Sequence, residues 1–326
     1  MIRAAAIFDF LRAAADRGEH TVLITLTAVI GSSSRAPGTH MAVSETGAFA
    51  GSFSGGCVEA AVVAEAKRIM MDGRAELIRF GAGSRYIDIR LPCGGGIDLL
   101  FTPHPSRLAI NEAAAALAAR RSVSLSLGMD GSIGVTTFMQ DMPSWRGDVF
   151  HLRHDPDLRL VIIGHGAETL ALARLATAHG AAVTVLSPDR TICDALGYLR
   201  IDAQLLVTPA RSLHLASDAY TAIVFLFHDH DWETDLIAQA LEQDAFFVGA
   251  MGSRATNKRR QGRLAEIGLS AEAIARVVGP IGLIPATRDP DTLALSVLGQ
   301  VVDCHGRASL SFNAEQRHIW PKMNAS

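Results

Sequence analysis

Leu158-Arg-Leu-Val-Ile-Ile-Gly-His-Gly-Ala-Glu-Thr169 is the stretch that decides the fold of the second half of this 326-residue chain. An apolar strand, Leu158–Ile163, runs into Gly164-x-Gly166 and then into a helix predicted over 168–179, which is the context a Rossmann turn needs. Further strand patterns follow at Ala182–Leu186, Gln204–Val207, Ala222–Phe227 and Ala245–Val248. They alternate with helical patterns near 191–199, 232–243, 254–267, 270–276 and 290–303. Alternating strands and helices predict a parallel, doubly wound sheet. In a dinucleotide site Gly164 and Gly166 would meet the phosphates and Asp189 a ribose hydroxyl. Three features argue against NAD(P). Thr169 stands at the third glycine position, Glu168 brings an acid to the pyrophosphate position, and Ser187-Pro188 fills the next strand end.

Upstream, His151-Leu-Arg-His-Asp-Pro-Asp157 is charged, contains a proline and precedes the apolar strand, so it reads as the boundary. Residues 1–105 read as an α+β unit: a helix over 3–17, a strand at Thr21–Ile30, a helix from Cys57 to Met71, and short strands including Leu77–Phe80, Ile87–Leu91 and Ile97–Phe101. Residues 106–154 read as a connecting helix and strands, 155–310 as the Rossmann-like unit, and 311–326 as a tail. The expected class is therefore α/β, an N-terminal α+β domain followed by a doubly wound parallel sheet.

Composition narrows the function. Hydrophobic residues make up 49% and the formal net charge is -3, so nothing pulls the whole chain toward nucleic acid or an anionic membrane. No apolar run reaches the ~18 residues of a membrane span. The mixed charges of the first 17 residues read as an amphipathic helix rather than a signal peptide, and a cytoplasmic protein is expected. Cys57, Cys93, Cys193 and Cys304 form no Cys-x-x-Cys pair, so neither a structural zinc nor a disulfide framework is expected.

Several glycine loops carry candidate chemistry. Gly51-Ser-Phe-Ser-Gly-Gly-Cys-Val-Glu59 enters a helix, so Gly55 and Gly56 would turn main-chain amides toward an anion and acidify Cys57. The plain alternative is that Ser54 caps the helix and Cys57 packs inside. Leu91-Pro-Cys-Gly-Gly-Gly96 repeats the pairing in mirrored order, and Cys93, Gly94 and Gly95 would share the first loop's site unless this is only a turn between strands. Gly31-Ser-Ser-Ser-Arg35 adds Ser33 and Arg35 as an anion anchor, or else a solvated turn. His228-Asp-His-Asp231 lies at a predicted strand's carboxyl end, where it would ligate a metal or relay a proton, or else form a polar loop capping the next helix at Asp231. Gly252-Ser253-Arg254 opens a basic helix that suits phosphate, an acidic partner or solvent.

These segments, together with Pro92–Gly96, Gly249–Arg254 and Gly279-Pro-Ile-Gly-Leu283, resemble the xanthine dehydrogenase accessory proteins, the XdhC/CoxI-type molybdenum-cofactor chaperones, over about residues 5–310. The resemblance implies a carrier without a turnover reaction of its own. It would bind molybdenum cofactor, as molybdopterin or its cytosine dinucleotide form, assist its sulfuration and deliver it to a molybdoenzyme of the xanthine, aldehyde or CO dehydrogenase type. It implies that Cys57 and Cys93 act near the molybdenum or a persulfide sulfur. Ser33, Arg35, Gly55, Gly56, Glu59, Gly94, Gly95, Gly164, Gly166, Asp189, His228, His230, Gly252, Ser253 and Arg254 would hold the rest. The implied partners are the large subunit of the molybdoenzyme, a cysteine-desulfurase-type sulfur donor and a second copy of the chain. Two rival readings remain: an NAD(P)-dependent oxidoreductase using Gly164, Gly166 and Asp189, and an adaptor docking through the basic helix over 254–263.

Overall fold

The computed structural model describes residues 3–311 apart from 55, 57, 85–93, 137–141, 210–214, 216 and 229–231, with backbone alone for 308–311. The chain forms two compact units, residues 1–156 and 157–326. The strand expected at Ile87–Leu91 and the tail from 312 lie outside the described residues.

The first unit is organised by β1 (Thr21–Ile30), the centre of a five-stranded sheet ordered β3-β2-β1-β5-β4. The other strands are β2 (His40–Ser44), β3 (Phe49–Ala50), β4 (Glu76–Gly81) and β5 (Gly96–Pro103). The strand β1 is apolar without alternation because both of its faces are covered. Val22, Ile24 and Leu26 pack with Val62, Ala66 and Ile69 of α2 (Glu59–Asp72). Leu23 points the other way, into a core with Phe8 and Leu11 of α1 (Ala4–Asp16) and Ala113 of α3 (Arg107–Ala118).

That second core also takes in Leu125, Phe150 and Leu152 from an antiparallel sheet ordered β7-β6-β9-β8. Its strands are β6 (Val123–Gly128), β7 (Ile133–Thr136), β8 (Ser144–Arg146) and β9 (Val149–His154). The segment read as the boundary from His151 begins as the end of strand β9, and the division between the units falls within it, after Pro156. Phe150 and Leu152 are buried while His151 and Arg153 are only half-buried, and this period of two was masked by the charges. Residues 107–154 lie within the first unit and share its core.

The second unit carries a six-stranded sheet ordered β12-β11-β10-β13-β14-β15 with every pair parallel. The strands are β10 (Arg159–Gly164), β11 (Ala182–Ser187), β12 (Asp202–Leu205), β13 (Thr221–Leu226), β14 (Phe247–Ala250) and β15 (Val277–Val278). Leu160 and Ile162 pack under α4 (Gly166–His179) and α9 (Pro290–Ser311). Val161 and Ile163 pack on the opposite face with Leu236 and Ile237 of α6 (Thr234–Leu241). Each such side chain contributes roughly 1.5–3 kcal/mol by burial. Helices α5 (Arg190–Tyr198), α7 (Arg254–Glu266) and α8 (Ala271–Ala275) complete the unit. Among the described residues no helix is long and apolar enough to cross a membrane.

A histidine pair joins the two sheets of the first unit. His40 of β2 and His154 of β9 approach Nε2 to Nε2 at 2.9 Å, and Thr25 Oγ1 lies 2.9 Å from His40 Nδ1. Both rings border a cavity of about 260 Å³ lined also by Arg3, Pro37 and Arg153. Burial holds His40 well below the usual imidazole range, reinforced by charge repulsion from His154; burial likewise lowers His154 to about 4. The unfolded chain therefore binds these protons more readily than the folded one. The stability these neutral rings contribute is whole above pH 6.5 and falls as pH drops toward 4. Denaturant midpoints measured from pH 7 to 4 should show this loss, with a His154 share on the order of 2–3 kcal/mol. His154→Gln should flatten the profile over the same window.

Candidate functional site

Three loops of the first unit meet at one end of its sheet. Ile30, the last residue of β1, pairs with Gly96 of β5, so the segments after β1 and before β5 emerge side by side. A Cβ on Gly95 would stand 2.6 Å from the carbonyl oxygens of Ile30 and Ser32, so the close approach of these segments requires glycine there. The third loop, ahead of α2, is fastened to the first by Ser34 Oγ donating to Phe53 O at 3.4 Å and Arg35 Nε donating to Ser52 O at 3.1 Å. The segments 31–35, 52–58 and 94–96 therefore form one cluster. Cys57, Cys93 and Gly55 lie outside the described residues, as does His230.

The Glu59 carboxylate organises the third loop. One oxygen accepts from Ser52 Oγ at 2.7 Å and from the amides of Phe53 and Ser54, both at 2.9 Å. The other accepts from Ser54 Oγ at 2.8 Å and from the amides of Gly56 at 2.7 Å and Val58 at 3.2 Å. Burial alone would raise this carboxyl's pKa. The donors from Ser54 and Ser52 outweigh it and bring the value down to about 2. This corrects the sequence expectation in two respects. Glu59 turns into its own loop rather than toward a cofactor, and the Gly56 amide expected to cradle an anion already serves an internal carboxylate. Ser54 Oγ also accepts from the Val58 amide at 3.1 Å, a bond within the loop; α2 starts after Val58 with no side-chain cap, so Ser54 is not the cap the sequence suggested.

Arg35 also donates through Nη1 to Ser34 O at 3.1 Å, while Ser33 Oγ accepts from the Arg35 amide at 3.2 Å. Arg35 Nη2 makes no hydrogen bond among the described residues, and a Cβ on Gly94 would meet open space. The cluster thus brings the half-buried Arg35 guanidinium into the same group of loops as Gly94, where a Cβ would find open space. Burial, the main cause, pushes the thiols of Cys193 and Cys304 up, so both are poor nucleophiles.

In the second unit the remaining expected residues gather along the carboxyl ends of the strands. Gly164 ends β10, where a Cβ would collide with the Leu226 carbonyl of β13. Gly166 opens α4 with φ 83°. Thr169 is buried and bonds the His165 carbonyl at 3.0 Å, so its hydroxyl is satisfied within the turn. Asp189 caps α5 by accepting from the Thr191 amide at 2.8 Å. His228 follows β13, with Nε2 3.6 Å from Glu168 Oε1. Ser253 accepts from the Thr256 amide at 3.1 Å and so caps α7, after a close turn at Gly252 and before an exposed Arg254.

Arg260, within the basic helix, is buried. It bonds Glu233 at 2.9 and 3.3 Å, Met251 O at 2.6 Å and Asn257 at 3.1 Å, and Asn257 donates to Gly279 O at 2.8 Å. The pair fixes the loop after β14. A lone arginine at helical spacing gave no signal that it faced inward. Among the described residues no group of three or more His, Cys, Asp or Glu side chains is arranged to hold a metal ion.

Replacing Glu59 by Gln puts an amide NH2 among N–H donors, and should destabilise the first unit by about 2–4 kcal/mol in denaturant titrations. The wild-type contribution should persist above pH 4.5 and fade toward pH 2. Gly95→Ala should cost a further separable loss, about 1–3 kcal/mol, from the carbonyl clash.

Comparisons with known proteins follow the same division. A family model described as the XdhC Rossmann domain matches residues 160–301, and one for the XdhC and CoxI family matches 14–81. The chain is 35% identical over 288 residues to the molybdenum cofactor insertion chaperone PaoD of Escherichia coli (strain K12), covering 87% of this chain and 83% of the relative. It is 22% identical over 323 residues to a probable xanthine dehydrogenase subunit from Bacillus subtilis (strain 168), covering 90% and 95%. A crystal structure described as a xanthine dehydrogenase from Bacillus halodurans superposes with a TM-score of 0.74 at 19% identity, over 98% of each chain, and shares the fold. With family matches in both units and this level of identity, the chain belongs to the XdhC and CoxI family.

Proposed function

We propose that this protein binds molybdenum cofactor and delivers it to a molybdoenzyme of the xanthine, aldehyde or CO dehydrogenase type. The observation that carries the reading is the 35% identity, over 87% of the chain, to a molybdenum cofactor insertion chaperone. The loop cluster of the first unit supports it. Arg35 brings a guanidinium that matches a phosphate, and Gly94 of the same cluster has open space at its Cβ position. Cys57 and Cys93 stand in sequence next to these loops, and a thiolate suits a soft molybdenum centre or a persulfide sulfur.

In this reading the chain assists sulfuration by receiving sulfur from a cysteine-desulfurase-type donor, works as a homodimer in the cytoplasm, and needs no turnover reaction of its own. The cargo is molybdopterin or its cytosine dinucleotide form. Asp189, Gly164, Gly166, His228, His230 and Arg254 would contact cargo or partner through the second unit. An NAD(P) role is disfavoured by Glu168 in the first turn of α4.

The test is to titrate the purified full-length chain with extracted molybdenum cofactor and measure stoichiometry. About one cofactor per chain is expected. Cys57→Ala and Cys93→Ala should each weaken retention by at least about tenfold, the loss of one strong ligand interaction. No uptake by wild-type protein would refute the carrier role, and unchanged retention in both variants would remove the cysteines from it.

A further inference from the structure

The strand order of the second sheet places its topological switch point between β10 and β13. Chains leave these two strands toward opposite faces, and the crevice this opens is where ligands of such sheets bind. In this crevice Glu168 rises from the first turn of α4 and His228 follows β13, with His165 between them. The His165 ring lies 5.6 Å from buried Phe227 and 5.9 Å from His228, giving the crevice aromatic walls.

Glu168 is misplaced for the ligand this crevice usually takes. A pyrophosphate sits over the glycine turn at the helix N-terminus. Here Glu168 Oε2 folds back over that turn, 2.9 Å from where a Cβ on Gly166 would be. The carboxylate already complements the positive helix end and would repel a phosphate. Its side chain is 19% exposed, so the oxygens are reachable. The 3.6 Å to His228 exceeds hydrogen-bond length, and the His228 side chain is 62% exposed and able to swing aside. A cation cage is not built here, since no three ligating groups converge among the described residues.

We propose that this crevice binds a flat heterocycle through a 2-amino-4-oxo edge, the edge shared by pterin and guanine, with Glu168 as the group that reads it. Two parallel N–H groups, the ring N–H and the exocyclic amine, match the two oxygens of one carboxylate. The His165 imidazole provides a flat flank for such a ring, with the His228 ring tilted 39° to it. The choice of pterin rests on the carrier role proposed above; the reading of the edge by Glu168 does not.

Isothermal titration of the full-length chain with pterin and with lumazine, which carries oxygen in place of the 2-amino group, tests this. Wild-type protein should prefer pterin by about tenfold or more, the worth of a charge-assisted hydrogen bond. Glu168→Gln should abolish the preference, and NAD+ should give no thermal shift in the wild type. A guanosine titration identifies the source of the edge, nucleobase or pterin, by which of the two binds more tightly. Equal affinity for pterin and lumazine, no binding of either, or a preference that survives in Glu168→Gln would overturn the proposal. The wild-type comparison requires no variant to fold. Failed cofactor uptake beside an intact pterin preference would sink the carrier role alone; intact uptake without the preference would sink this site alone.

Discussion

One buried carboxylate holds the first unit's loop cluster in shape. Glu59 sits at the start of α2, and its two oxygens gather donors from Ser52 through Val58. An isolated charge at this depth would be costly. Surrounded by amides and hydroxyls it becomes a hub that fixes the path of the glycine-rich chain. The loop then meets segment 31–35 through Ser34 and Arg35, and that segment meets 94–96 through the close approach at Gly95. Gly56 and Gly95 are thereby held in one arrangement.

The second unit follows the same logic with opposite partners. A buried arginine, rather than a carboxylate, fixes the loop after β14, because Arg260 binds Glu233 and the Met251 carbonyl together. Removing either partner would leave an uncompensated charge in an apolar core. Rigid loops at the strand ends leave Glu168 and the histidines as the adaptable groups of that edge.

Much of this was legible in the sequence. The apolar run from Leu158 to Ile163 ahead of Gly164 and Gly166 pointed to the parallel sheet, since local period and turn chemistry agree there. The three glycine loops were visible because glycine clusters are local features. What stayed hidden depends on contacts distant in the chain. His40 and His154 are 114 residues apart. Strand β9 was concealed by the charged residues at its alternate positions. Glu59 beside a cysteine looked like a ligand group because its partners are mostly main-chain amides, which leave no mark on sequence.

The histidine contact between the sheets carries one more consequence. Two neutral rings meeting Nε2 to Nε2 hold a single hydrogen between them, so they must be opposite tautomers at those atoms. If His40 donates there, its Nδ1 accepts from the Thr25 hydroxyl; if His154 donates, His40 Nδ1 carries a hydrogen and Thr25 accepts. The three side chains thus form a hydrogen-bonded chain with two directions, and the Ile24 backbone beside His40 enters the choice between them. The direction chosen by the strand of one sheet is imposed on the other without any heavy atom having to move.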